Sequence, residues 1–137
     1  MALVPTDPRL FRLPTMDEER PRLLGSHAES EGLYFWPRRQ RCPVSGAPVS
    51  DCELGPFGVL YAWTFLHVPR MGSISFGETG GYGVGQIDLP EGVRVQAPLV
   101  GTTADWQIGS RMALTTFSVG EADDGDELVT FRFEAVD

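Results

Sequence analysis

The feature that most constrains this 137-residue chain is a series of strand patterns after Pro56. The clearest lies at residues 128–136, where apolar and polar side chains alternate, so that one face of a strand is apolar and the other wet. The apolar positions are Val129, Phe131, Phe133 and Ala135. Patterns rich in aromatic and β-branched residues predict four earlier strands, over residues 59–68, 82–89, 93–99 and 111–119.

A short helical turn is predicted over residues 102–108, between the third and fourth strands, with Thr102 or Thr103 as its cap. Five strands with a helix at that point are the order of the OB-fold, a partly open five-stranded barrel. A generic β-sandwich would not require the helix. Sixteen glycines and eleven prolines agree with many turns. The sequence therefore predicts an all-β chain built on a five-stranded OB-fold barrel.

The first part of the chain divides in two. Residues 1–22 contain four prolines and many charges, which predicts an extended arm; such arms are usually frayed ends, or they order on a partner. The spacing from Thr15 to Glu18 suggests one helical turn within it. Residues 23–56 combine turns with short apolar patches, which indicates a small hairpin knuckle. We therefore expect an arm (1–22), a knuckle (23–56) and an OB-fold domain (57–137).

The net charge and the composition argue against several classes of function. The net charge is -8 and all eleven basic residues are Arg, which opposes binding to nucleic acid or to an anionic membrane. No stretch has the apolar length of a membrane span, and the N-terminus lacks a signal-peptide pattern. Two cysteines make no disulfide framework. These observations predict a cytoplasmic protein with reduced thiols.

Nothing in the sequence pairs a nucleophile with a base. The only histidines are His27 and His67, and neither is placed by spacing beside Cys42. The glycine-rich stretch 77–85 lacks the Lys-Ser/Thr ending of a phosphate loop and precedes a strand, so it indicates a flexible barrel loop or a lining for a partner's channel. The carboxylates of the 121–127 segment indicate a solvated acidic loop.

Motifs at several points resemble one family. They are Leu-Leu-Gly-Ser at 23–26, Phe-Trp-Pro-Arg at 35–38, Cys-Pro-Val-Ser-Gly at 42–46 and Gly-Val-Leu-Tyr at 58–61, with weaker matches at 87–93, 108–112 and 131–133. In this order they resemble the zinc-ribbon/OB-fold family catalogued as domain of unknown function 35, which is often encoded with thiolases. Its typical ribbon has the form LxGSxCxxCGxxxFPPRxxCPxCG. The resemblance implies a rubredoxin-like zinc-ribbon knuckle before the barrel.

The ribbon departs from the family at its metal ligands. The four ligand positions hold Ala28, Glu31, Cys42 and Ser45. Because a structural zinc needs four soft or imidazole ligands, one thiolate cannot hold it. We therefore expect a degenerate ribbon that keeps its shape without a metal or other cofactor, held by burial of the apolar residues 33–36. A rearranged site of His27, Glu31, Cys42 and Cys52 is the alternative, with two ordinary free cysteines favoured over it.

The resemblance also implies a function. Family members bind a thiolase-fold enzyme, a thiolase or retro-aldolase acting on acyl-CoA, and the catalytic residues lie in that partner. By resemblance, this chain is expected to be a non-catalytic accessory subunit, with steroid side-chain or aromatic catabolism as candidate pathways. The expected contact residues, chosen because interface centres favour aromatic residues and Arg, are Leu33, Tyr34, Phe35, Trp36, Arg38 and Arg39.

Other readings stay open at this stage. The aromatic residues of the knuckle also suit its own core, and Arg38 and Arg39 also suit attraction of CoA phosphates. A stand-alone OB domain that binds acyl-CoA or another small ligand is a rival function, although a five-stranded barrel fills with its own side chains. A nucleic-acid-binding OB domain is a further rival, and the acidic balance opposes it.

Overall fold

The computed structural model describes residues 2–67, 70–71, 74–75 and 81–137. Within these ranges the regular structure is strand, apart from one 3₁₀ turn. The strands are β1 (Leu3–Pro5), β2 (Phe11–Arg12), β3 (Arg22–Ala28), β4 (Leu33–Phe35), β5 (Ser50–Leu54), β6 (Phe57–Leu66), β7 (Arg70–Met71), β8 (Ile74–Ser75), β9 (Tyr82–Asp88), β10 (Arg94–Leu99), β11 (Arg111–Glu121) and β12 (Glu127–Ala135). The all-β prediction is confirmed.

Five strands form the barrel. Their order is β12-β10-β9-β6-β11, and pairing between β11 and β12 closes the ring. The pairs β6–β9, β9–β10 and β11–β12 are antiparallel hairpin neighbours, and β10 meets β12 in parallel at Leu99 and Phe133. The 3₁₀ turn Thr103–Asp105 lies between β10 and β11 with Thr102 as its cap. This is the five-stranded OB-fold barrel that the strand patterns predict.

The apolar faces of these strands meet inside the barrel. Alternation along β12 buries Val129, Phe131 and Phe133 while Thr130 and Arg132 point outward, as the sequence pattern requires. The residues of the barrel interior that are wholly buried include Leu60, Ile87, Val95, Met112, Leu114 and Phe133. Side chains therefore fill the barrel, which is typical of barrels of this size.

A second, smaller sheet precedes the barrel. Its central strand is β3, which pairs with β5 on one side and with β2 and β4 on the other. Strands β3 and β5 were not anticipated, because the sequence of this segment was interpreted as turns and short apolar patches. Within β3, Leu23, Gly25, Ser26 and Ala28 are buried, and an added Cβ at Gly25 would collide with the backbone oxygen of Phe35.

The N-terminal arm is extended, but it is bound to its own chain. Strand β1 pairs in parallel with β12, from Leu3–Glu127 to Pro5–Val129. Strand β2 pairs with β3, and Phe11 is 1% exposed within the core. The expectation of a frayed end is therefore wrong for this segment. At the expected helical turn, Thr15 and Glu18 exchange backbone hydrogen bonds in a tight loop, and no helix forms.

Two other features differ from expectation. The first barrel strand runs over Phe57–Leu66 and not over 59–68; of the expected residues, Val68 lies outside the described part. A short hairpin, in which β7 pairs with β8, precedes the expected glycine-rich stretch 77–85 and was not predicted. Residues 77–80 of that stretch are outside the described residues. The described residues contain no helix with the length and apolar character needed to cross a membrane.

Candidate functional site

The knuckle, residues 23–56, contains two tight turns between the strands of the small sheet. The first joins β3 to β4: the Glu31 amide donates to the Ala28 carbonyl (3.1 Å) and Gly32 takes a positive φ of 66°. Ala28 is fully buried and Glu31 is exposed. This turn therefore places a methyl group and a solvated carboxylate at the first two ligand positions of the ribbon.

The second turn is built around Cys42. Its carbonyl accepts from the Gly46 amide (2.8 Å), its own amide donates to the Ala47 carbonyl (2.9 Å), and Gly46 takes a φ of 76°. The Cys42 side chain is 2% exposed. A hydrogen bond from the Ser45 hydroxyl lowers the pKa of the Cys42 thiol, helped by the backbone amides of Ser45 and Val44 and opposed by burial. This turn thus buries the Cys42 thiol at one of the four positions where the family's ribbon binds metal.

These residues do not fit a structural zinc. Ala28 offers no donor atom, and Glu31 and Ser45 offer only oxygen where the site needs thiolate or imidazole. Within the described ranges, no three His, Cys, Asp or Glu residues cluster in a way that could hold a metal ion. Instead, the His27 ring stacks on Tyr34 with centroids 4.2 Å apart, and burial raises the pKa of the Cys52 thiol. Both cysteines are free.

The apolar cluster at residues 33–36 is divided between the protein's interior and its surface. Trp36 lies between the knuckle and the barrel: its indole Nε1 donates to the Leu10 carbonyl (2.9 Å) and its ring meets Phe131 edge-on at 5.7 Å. Tyr34 also packs against the common core, whereas Leu33 is 38% exposed. Burial therefore holds the knuckle through Tyr34 and Trp36, and it does not include Leu33.

The two arginines after the cluster point outward from a fixed backbone. The Ser26 hydroxyl, which is fully buried, accepts from the Arg39 amide (2.8 Å) and donates to the Arg39 carbonyl (3.3 Å). The Arg38 guanidinium lies 3.5 Å from the Asp51 carboxylate, and both residues are exposed. The knuckle thus presents Leu33, Arg38 and Arg39 together at its surface.

A second exposed apolar surface lies on the barrel, and sequence reasoning missed it. Val59, Tyr61 and Ile108 have 47%, 49% and 69% of their surface exposed. The Arg94 guanidinium stacks on the Tyr61 ring at 3.5 Å and also pairs with Asp88 at 2.6 Å. The sequence of β6 indicates this surface, because β6 carries apolar residues at both alternating sets of positions. One of the two sets therefore has to face outward.

The residues considered for catalysis are separate in the fold. His67 follows β6, is exposed, and has its ring 4.9 Å from that of Phe65. His27 lies in β3 of the small sheet. In the acidic loop, Asp126 accepts from the Ala2 amide (3.1 Å) and Asp124 from the Asp126 amide (3.0 Å), so these carboxylates tie the loop to itself and to β1. In the part of the chain that the structure describes, no nucleophile is paired with a base.

The architecture is therefore that of an OB-fold barrel with a small N-terminal sheet. Residues 52–117, which include most of the barrel, match the model of the ChsH2 C-terminal OB-fold domain, so this part of the chain is similar to that family. The resemblance seen in the sequence motifs is confirmed at this level.

Two similar proteins extend the comparison. The benzoylsuccinyl-CoA thiolase subunit BbsA of Thauera aromatica is 27% identical over 130 residues, covering 94% of this chain and 86% of that protein. The solved structure of the Ltp2-ChsH2(DUF35) aldolase contains a chain that superposes with a TM-score of 0.62 at 22% identity, covering 83% of this chain and 84% of that one. The second likeness shows a shared fold.

Proposed function

We propose that this protein is a non-catalytic accessory subunit that binds and stabilises a thiolase-fold enzyme acting on acyl-CoA substrates. The observation that carries the proposal is the similarity to a thiolase subunit along 94% of the chain, which includes the small sheet as well as the barrel. A likeness restricted to the barrel would support only a common fold. The chain's own geometry is consistent with it, because the described residues assemble no catalytic pair.

The proposed contact surface is the knuckle. Leu33, Arg38 and Arg39 are exposed on it, beside the half-buried Phe35. Tyr34 and Trp36, the other two predicted contact residues, fix the knuckle against the barrel through the contacts already described. An apolar residue flanked by arginines on a rigid support is the composition that interface centres favour.

The substrate of the complex is proposed as an acyl-CoA, bound through the partner. The name of the Thauera relative favours an aromatic acyl-CoA over a steroid side chain. The free cysteines suit the reducing cytoplasm that we propose as the location. Neither nucleic acid nor a membrane is a proposed partner, because the net charge of -8 opposes both.

Co-purification with a thiolase-fold protein from the same organism tests the proposal. The tagged chain is expected to form an equimolar complex on size-exclusion chromatography with light scattering, and the partner is expected to turn over acyl-CoA only with this chain bound. Leu33→Glu is expected to weaken the complex at least tenfold, because it puts a charge at the centre of the contact. Met16→Glu is the matched control, since Met16 is fully exposed on the arm.

Two results would reject this function. One is a chain that stays monomeric with every thiolase-fold protein of its organism. The other is turnover of acyl-CoA by the isolated chain, which would make it an enzyme in its own right. Tight binding of acyl-CoA by the monomer, strengthened by longer acyl groups, would instead support the rival function of a stand-alone carrier.

A further inference from the structure

One end of the barrel carries an open cavity of about 570 Å³. It lies where β6 ends and β9 begins, and the segment after β10 and the outer face of β12 complete it. The residues that line it include Phe65, His67, Tyr82, Thr102, Thr103 and one arginine, Arg132. The volume is within the range of sites for small organic molecules.

Arg132 differs from most of the arginines that the structure describes. Six of these form an ion pair with a carboxylate: Arg9, Arg12, Arg20, Arg22, Arg38 and Arg94. Arg132 forms neither an ion pair nor a hydrogen bond with any residue of the described ranges, and its Nε is buried without a partner. In a chain with a net charge of -8, a half-buried guanidinium without a carboxylate is an exception that calls for a cause.

The neighbours of Arg132 hold its guanidinium in place and leave its charge uncompensated. The Phe117 ring lies 4.2 Å from Cζ, so the guanidinium stacks on an aromatic face. The charge of Glu134, two residues along β12, acts on Arg132, but its carboxylate accepts from Arg20 at 2.8 Å. Burial lowers the pKa of Arg132 below its ordinary value, which shows that its surroundings disfavour the charge.

We propose that this cavity binds a small organic oxyanion, a phosphate or a carboxylate, with Arg132 as the residue that recognises it. A guanidinium presents parallel N–H donors that match the oxygen pairs common to both groups. Thr103 and His67, which also line the cavity, carry further hydrogen-bonding groups, whereas the Thr102 hydroxyl donates to Asp105 (3.4 Å). Phe65 and Tyr82 supply aromatic lining residues for the organic body of the ligand. The site belongs to this chain alone and does not depend on the accessory function proposed above.

Titration of the intact chain with one probe of each chemistry tests the site. Adenosine 3′,5′-bisphosphate represents the phosphate and phenylacetate the carboxylate. The readout is tryptophan fluorescence, because the Trp106 ring packs against Gly83 in the cavity wall. We expect at least one probe to bind, and Arg132→Gln to raise its Kd at least tenfold, because charged hydrogen bonds contribute about 1.5–3 kcal/mol.

Arg111→Gln is the matched control. Arg111 also lies on the outer face of the barrel and stacks on a phenylalanine, Phe57, at 4.1 Å, but it lines a different cavity. It is expected to leave the Kd unchanged. Arg132→Lys, which keeps the charge and removes the paired donors, is expected to give an intermediate Kd. Thermal unfolding of each variant checks that it is folded.

Binding of the bisphosphate alone assigns the site to phosphates, and binding of phenylacetate alone assigns it to carboxylates; either supports the inference. Binding that survives Arg132→Gln, or no binding of either probe, overturns it. Weaker association with a thiolase-fold partner in Arg132→Gln, without any effect on the probes, would make Arg132 an interface residue and also overturn it. Failure of the chain to find a partner would reject the accessory function and leave the site standing.

Discussion

The barrel and the small N-terminal sheet differ in how they are held together. The barrel closes on itself, and its strands bury a continuous set of apolar side chains. The small sheet has too few residues for an interior of its own, and its ribbon lacks the ligands that would hold a metal. Its buried residues, Phe11, Leu23 and Leu54, instead join the barrel's core cluster. A domain below the size at which a core suffices can therefore persist by sharing the core of its neighbour.

The largest effect on how the small sheet is held together is expected from restoring the metal ligands of its ribbon. In the variant Ala28→Cys, Glu31→Cys, Ser45→Cys, the existing Cys42 completes a four-thiolate site. We expect it to take up one zinc per chain and to unfold at a higher temperature with zinc than with chelator, because structural zinc binds with on the order of 10 kcal/mol in zinc-finger peptides. Metal analysis and thermal unfolding measure both. The parent chain should be insensitive to chelator, and a variant that takes up no metal would refute the assigned ligand positions.

The shared core predicts that a defect in the small sheet destabilises the whole molecule. Phe11 is 1% exposed and meets Phe131 edge-on at 5.3 Å, so Phe11→Ala is expected to lower the free energy of unfolding by about 3–5 kcal/mol. Urea unfolding should stay a single transition, as for Leu60→Ala inside the barrel. Two separate transitions would show that the sheet and the barrel are independent.

A smaller effect is expected from the link between knuckle and barrel. Trp36→Phe keeps a ring in place and removes the hydrogen bond from the indole to the Leu10 carbonyl, at a cost of about 1–2 kcal/mol in unfolding free energy. Trp63→Phe is the control, because among the described residues the Trp63 indole nitrogen has no hydrogen-bond partner. Equal losses in both variants would mean that the hydrogen bond contributes nothing.

The smallest effect is expected on the stability of the protein at acidic pH. Hydrogen bonding to Arg12 lowers the pKa of Glu53, and hydrogen bonding to Arg22 and then Arg12 lowers that of Glu18. A lowered folded-state pKa gives stability that is complete above the unfolded value, near 4.5, and is lost as the pH falls through the folded value. Arg12→Gln should therefore reduce the urea midpoint at pH 7 slightly and make it less dependent on pH below 4.5. An unchanged acid profile would show that these ion pairs are screened by solvent.

The barrel could be predicted from the sequence, and much of the small sheet could not. Strands such as β12 can be predicted from the alternation of apolar and polar residues, because one face of the strand packs on the core and the other faces water. Strand β3 cannot, since its consecutive buried residues Gly25 and Ser26 interrupt the alternation and are not large apolar residues. Pairing between β1 and β12 joins residues 124 positions apart, which no local pattern encodes.

Some of the candidate site residues could likewise be predicted from the sequence, and others could not. The motif at Cys42–Gly46 predicts a turn, and the structure contains it. The aromatic cluster could not be divided from sequence into buried and exposed members, because Leu33 and Trp36 are both apolar and only the position of Phe131 decides which one is covered. Nothing in the sequence identified Arg132 as a site residue, because its polar position in the alternating pattern of β12 predicts only that it faces solvent.

The parallel pairing of β1 with β12 has a consequence for how the molecule is made. The ribosome adds β12 only some 120 residues after β1, so β1 cannot pair until β12 has been made. Until then the edge that β1 presents is open to other chains, and the aromatic arm residue Phe11 has no finished barrel to enter. Assembly of this fold is therefore a late event, completed only when β12 pairs with β1.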